Sequence, residues 1–296
     1  MSAESTQCPS CGAQLAGEDR FCETCGARVS RSGEDTRTHA EIDLGIVAGV
    51  TDRGLVHERN EDALFISNDD GAAVVVICDG VSASTDPHTA AQVAADVAGR
   101  SLVAALHRQR NGAAGTTTPL WNPDAATLAA IDAAQRAVVD APAAREHPDD
   151  PPACTFVSAL WDGRELTFGW VGDSRAYWIA PDDARRVTVD DSWDDTHMLT
   201  RWLGADAPVG RPGVTRLKPN GAGRVIVCSD GLWNYAARTD ELAALIAPAR
   251  EDASALSLAQ RLTRVALDAG GQDNITVAVL TIASTDEAQD SRREGP

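Results

Sequence analysis

Four aspartates stand where apolar, strand-like runs of this chain begin or end: Asp79 in VVVICDG, Asp173 in WVGDS, Asp230 in VIVCSDG and Asp273 in GGQDNITVAVL. A strand end presents a side chain from a rigid support, so a sheet fold that gathers these ends can build one site from distant residues. Converging carboxylates repel one another unless cations lie between them. Hard divalent ions that favour oxygen ligands, Mg²⁺ or Mn²⁺, are the cations expected. Two such ions side by side form a hydrolytic centre suited to phosphate chemistry. Each motif alone is an ordinary turn, because glycine and aspartate are turn residues. Their joint order carries the information.

Apolar runs and alternation predict strands at 42–50, 62–67, 73–78, 154–161, 165–171, 175–180, 185–190, 224–228 and 274–283. Alanine-rich segments with apolar residues at three and four spacing predict helices at 87–108, 124–141, 240–247 and 253–268. The stretches 109–123 and 142–152, with Gly, Pro, Asn and Thr, read as loops. Between 154 and 190 successive strands are joined by the short turns WDGRE and VGDSR, which implies an antiparallel meander. The expected fold is α+β, a sandwich of two antiparallel sheets flanked by helices. A parallel dinucleotide-binding sheet is disfavoured, and no Gly-rich phosphate loop is present.

The N-terminus is a separate unit. CPSCG and CETCG place Cys8, Cys11, Cys22 and Cys25 as two matching knuckles, each closed by glycine. Four thiolates predict one tetrahedral, structural Zn²⁺, because no ligand position is left open; a pair of disulfides and a rubredoxin-like iron site are the alternatives. The segment has too little apolar material to fold without its metal. Residues 1–30 thus read as a zinc ribbon with a docking role for a protein partner, 31–41 as a flexible polar linker, 42–284 as the main domain and 285–296 as a disordered tail. Cys78, Cys154 and Cys228 lie singly in apolar segments and read as small buried hydrophobes. An odd cysteine total and an N-terminus without an apolar signal core point to the cytoplasm. The net charge of −18 argues against general nucleic-acid binding, and no apolar run approaches the ~20 residues of a membrane span.

The order NED (Asn60, Glu61, Asp62), CDG, GDSR, SDG and QDN resembles the metal-dependent serine/threonine phosphatases of the protein phosphatase 2C family, over about Ile42 to Ile282. The resemblance implies an enzyme that removes phosphate from phosphoproteins and opposes a kinase pathway. By motif, Asp79 bridges two Mn²⁺ or Mg²⁺ ions and the Gly80 carbonyl completes the second site. Asp230 and Asp273 bind the first ion, and Asp173 shares a third, weaker site with Asp230. Glu61 or Asp62 holds metal-bound water or supports a ligand, and Asn274 orients Asp273 from behind.

This chain departs from the family pattern in three places. The family's phosphate-gripping arginine is replaced by His57, with Arg59 two residues on as a possible substitute phosphate ligand. The loop after Asp79 reads DGVSASTDPH in place of the family's glycine pair, and His88 in it reads as a helix-surface residue. The insert that normally follows TVDDSW is nearly missing, which predicts an open site. Asp190 and Asp191 read either as additions to the third metal site or as a plain acidic turn, and Trp193 and Trp202 as packing residues. Two readings remain open: an active phosphatase, and a catalytically weak phosphatase-like module that binds phosphoproteins.

Overall fold

A computed structural model describes residues 6–7, 14–15, 24, 39–111, 121–193, 198–247 and 253–283. In chain order the elements are β1 (Thr6–Gln7), β2 (Gln14–Leu15), β3 (His39–Asp43), β4 (Val47–Asp52), β5 (Ala63–Asp69) and β6 (Ala72–Cys78). Then come α1 (Pro87–Asn111), α2 (Pro123–Asp140), α3 (Pro142–Glu146), β7 (Ala153–Cys154), β8 (Phe156–Trp161), β9 (Leu166–Val171) and β10 (Arg175–Ile179). The chain ends through β11 (Ala184–Arg186), β12 (Leu203–Gly204), β13 (Gly213–Leu217), β14 (Gly223–Cys228), α4 (Asp230–Trp233), α5 (Thr239–Ile246), α6 (Ala255–Asp268) and β15 (Ile275–Ile282). β1 and β2 pair antiparallel, and all four ribbon cysteines lie outside the described residues.

Two antiparallel sheets form the body, in the orders β11-β10-β14-β15-β4-β3 and β13-β9-β8-β6-β5. Strand alternation divides the apolar side chains into three layers. Val75 and Ile77 of β6 face Val225, Val227 and Leu280 of the other sheet. Val74, Val76 and Cys78, on the opposite face of the same strand, pack under Ala94, Ala98 and Leu102 of α1. Beneath the second sheet, Val50, Ile226 and Val277 meet Leu258 and Leu262 of α6. The continuous apolar run of β6 follows from burial on both faces. Asn122 caps α2 by accepting from the Ala125 amide, and Pro123 opens the helix, where its missing N–H costs nothing.

The sandwich expected from the sequence is present, with local corrections. The strand expected at 42–50 is a hairpin, turned where Leu44 N donates to Val47 O (2.9 Å) and Gly45 N to Asp43 Oδ1 (3.0 Å). β3 begins at His39, so residues 39–41, read as linker, pair with β4. Its alternating exposure marks a polar edge strand with no apolar period to detect. β13, α3 and α4 fall in segments without a strong period for the same reason. β11 stops at Arg186, short of the expected residue 190.

The layers bring one set of strand ends together. Asp52, at the end of β4, pairs with Ile275 at the start of β15, and Cys228 pairs with Arg175. In the other sheet Cys78 pairs with Ala63, and Phe156 with Val171. Every acidic motif singled out in the sequence leaves the sandwich at this end.

Candidate functional site

Asp79 follows β6, and its amide donates to Thr155 Oγ1 (3.1 Å), while Thr155 N donates back to Asp79 O (2.7 Å). Thr155 Oγ1 also meets Ser174 Oγ at 2.8 Å, which ties this strand end to the loop carrying Asp173. At Gly80 a Cβ would fall 2.8 Å from Pro87, so only glycine lets the start of α1 close over the Asp-Gly step. Asp230 opens α4, directly after β14. A Cβ on Gly231 would stand 1.9 Å from Asn274 O, so the glycine of SDG allows the QDN segment to lie against it. The two motifs share one requirement, a bare backbone between Asp230 and Asp273.

The structure gathers Asp62, Asp79, Asp173, Asp230 and Asp273 into one acidic depression. Burial pushes the Asp79 carboxyl well above its ordinary range, and the charges of Asp62, Asp230, Asp173 and Asp273 push it further. Asp230 is raised in the same way, by burial and then by Asp273, Asp173 and Asp62. Asp62 rises to about 6 through burial, although Ser229 Oγ donates to its Oδ2 at 2.8 Å. Its Oδ1 is sealed from solvent and has no hydrogen-bond partner among the described residues. As placed, no three His, Cys, Asp or Glu side chains among the described residues converge tightly enough to hold a metal ion. The carboxylates therefore ring the depression and do not close on a point.

The NED loop is fixed by one amide. Asn274 Oδ1 accepts from Glu61 N (2.7 Å), and its Nδ2 donates to Arg53 O (2.8 Å) and Arg59 O (3.0 Å). The Asn274 amide donates to Asp273 Oδ1 at 2.8 Å. The side chain thus holds the neighbouring loop, while its backbone orients Asp273. Asn60 Nδ2 donates to Thr51 Oγ1, which contacts Thr276 Oγ1. Glu61 accepts from Ser82 Oγ (3.0 Å), which fastens it to the loop after Asp79.

At the rim, His57 Nε2 lies 3.3 Å from Asp273 Oδ1. The Arg59 guanidinium rests 3.3 Å from His88 Nδ1, and His88 lies 3.3 Å from Asp86. His88, read as a helix-surface residue, is half-buried in the first turn of α1. Asp86, at φ 58°, is in the left-handed region that aspartate tolerates better than most residues. Neither reading of Asp190 and Asp191 is complete. Asp190 is held by Arg175 Nη2 (2.6 Å) and Arg186 Nη1 (3.1 Å). Asp191 is held by Arg201 and by the Gly172 amide (3.1 Å). These arginines neutralise the pair. Arg175 also stacks on Trp233, 3.7 Å from the ring centre, and Trp233 Nε1 donates to Asp173 O. That buried clamp escaped the sequence reading, although the arginine of GDSR was its signal. Trp193, read as a packing residue, is 65% exposed. Where the insert is missing, Ser192 is bridged antiparallel to Leu199, and residues 194–197 between them lie outside the described residues.

Residues 55–265 match the family described as Protein phosphatase 2C, and residues 7–29 match the zinc-ribbon domain. The serine/threonine protein phosphatase PstP of Mycobacterium tuberculosis is 29% identical over 261 residues, covering 82% of this chain and 46% of the relative. The chain therefore spans about half the length of the curated relatives it matches. Among solved structures, the PstP catalytic domain in complex with two manganese ions aligns with TM-score 0.59 at 23% identity, covering 83% of this chain and 100% of that one. The S. agalactiae serine/threonine phosphatase aligns with TM-score 0.60 at 20% identity over 83% of this chain and 100% of that one.

Proposed function

The chain belongs to the protein phosphatase 2C family, and we propose on that footing that it hydrolyses phosphoserine and phosphothreonine on proteins, opposing serine/threonine kinases. One observation carries the reading: the five aspartates share a depression in which burial and one another's charges hold Asp79 and Asp230 well above the ordinary carboxylate range. Such a site is under electrostatic strain that divalent cations relieve. The donors fit hard cations, being carboxylates, the Gly80 carbonyl and the sealed Oδ1 of Asp62, which has no hydrogen-bond partner among the described residues. Asp79, Gly80, Asp230 and Asp273 would hold two Mn²⁺ or Mg²⁺ ions with Glu61 and Asp62 beside them, and Asp173 with Asp230 would serve a third.

When bound, the ions supply Lewis acidity and make a water acidic enough to attack phosphorus at neutral pH. The chain's own residues position the substrate. Arg59 rests against an imidazole and has no carboxylate partner among the described residues, so its fork remains available to a phosphate dianion. His57 is turned to Asp273 and steadies that carboxylate. Asn274 holds the loop that carries Arg59, fixing the distance between rim and floor.

Cys8, Cys11, Cys22 and Cys25 would bind one structural Zn²⁺ in a ribbon that docks a protein partner. A thiolate ribbon and three buried free thiols suit the reducing cytoplasm. The test uses the full chain with a phosphothreonine peptide. Manganese-stimulated phosphate release, abolished in Asp79→Asn and Asp230→Asn, supports the reading. Peptide binding without release in any divalent metal would leave the binding module as the function.

A further inference from the structure

The alternation of β14 sets an arginine where a core residue belongs. Val225 and Val227 face the other sheet, whereas Ile226 and Cys228 face α5 and α6 and are buried. Arg224 shares that second face. Its strand partners are Ile179 and Thr281, at the end of the sheet remote from the acidic depression. The four steps along the strand from Arg224 to Cys228 span ~13 Å, and Asp230 lies beyond them.

A cavity of about 330 Å³ opens beside this arginine, lined by Ile179, Pro181, Gly223, Arg224, Ile246 and Leu258 among others. The volume falls at the lower end of the ~300–1,000 Å³ typical of small-molecule sites. The lining is aliphatic apart from the guanidinium. Arg224 Nη1 donates to Gly223 O at 3.3 Å, and no carboxylate pairs with the side chain among the described residues. Burial alone pulls its pKa down. Most arginines described elsewhere in this chain, including Arg175, Arg186, Arg201, Arg216 and Arg238, have carboxylate partners. A half-buried cation without a counter-charge is costly, and an anion that brings its own apolar body offsets that cost.

We propose that this cavity binds a small amphipathic monoanion, a medium-chain aliphatic carboxylate, with its carboxylate on the Arg224 fork and its hydrocarbon against Ile179, Pro181, Ile246 and Leu258. A planar carboxylate matches one guanidinium in two parallel hydrogen bonds. A phosphate dianion would bring a second charge to a lining that holds one cation among the described residues. The site is separate from the acidic depression, and the proposal does not depend on the hydrolytic reading.

The experiment titrates the full chain with octanoate, following backbone amide shifts by NMR. Saturable shifts centred on Ile179, Arg224, Ile246 and Leu258 are expected. Octanol and octylammonium should bind at least about tenfold more weakly, as should acetate, each lacking one half of the recognition. Arg224→Leu should lose octanoate binding, melt at a higher temperature than the ligand-free wild type, and keep its phosphate-releasing activity. Leu258→Trp, which fills the cavity and keeps the charge, should also lose binding. Equal binding of octanol, undiminished binding by Arg224→Leu, or shifts scattered over the surface would overturn the proposal. So would binding at least about tenfold tighter in a Glu251→Gln/Asp252→Asn variant, because the counter-charge would then be the chain's own.

Discussion

Replacing Asp62 with asparagine should stabilise the metal-free protein, by an amount that depends on pH. The Asp62 carboxyl is raised from 3.8 to about 6, which corresponds to about 3 kcal/mol against the ionised form. Because its Oδ1 is sealed from solvent, screening does little to reduce that figure. The sign follows from proton binding. Between pH ~4 and ~6 the folded chain binds the Asp62 proton more tightly than the unfolded chain, so wild-type stability falls as pH rises through this window. Below ~4 the penalty is absent, and above ~6 it is complete. Asp62→Asn keeps an acceptor for Ser229 and removes the charge. Urea unfolding in EDTA should therefore show the variant up to ~3 kcal/mol more stable at pH 7.5 and equal to wild type near pH 4. Manganese should reverse the order, since wild type has more negative charge to gain from it. A stability gain that persists at pH 4, or no gain at pH 7.5, would refute the electrostatic account.

Three further outcomes are expected. Arg59→Ala should raise KM for a phosphopeptide about tenfold, the weaker end of a charge-assisted hydrogen bond, with a smaller effect from His57→Ala; unchanged steady-state kinetics in the double variant would remove both from substrate binding. Gly231→Ala should fail to fold or lose metal-dependent activity, because its Cβ would sit 1.9 Å from Asn274 O; a native-like melting curve with full activity would contradict the close approach. Arg175→Ala removes a side chain that is 10% exposed and leaves Asp190 with Arg186 as its remaining arginine, and should cost about 1.5–3 kcal/mol in chemical denaturation. Arg175→Ala/Asp190→Ala should recover part of that loss.

The sandwich was legible because β6, β9, β14 and β15 carry long apolar runs, and the end that carries the site was legible because an aspartate follows or precedes each run. Polar edge strands hid from the same reading. His39–Asp43 holds little apolar material, and its place comes from backbone pairing with β4. Within the site, the gathered aspartates could be anticipated from their order along the chain. The partners could not, because Arg175 with Asp190 and Arg59 with His88 meet through tertiary folding and leave no periodic trace. Asn274 illustrates the difference: its neighbour Asp273 named it, but its hold on the Arg53 and Arg59 carbonyls is a property of the packed loops.

The entry point of the main domain bears on the ribbon. His39 opens the first strand of the six-stranded sheet opposite Asp52, at the same end as the acidic depression. Thirteen residues separate Cys25 from His39, a tether of at most ~50 Å at full stretch. Any protein grasped by the N-terminal module would be confined to a small volume around the mouth of the cleft. Its phosphorylated segments would then arrive by short-range search, at an effective concentration governed by tether length more than by their abundance in the cell.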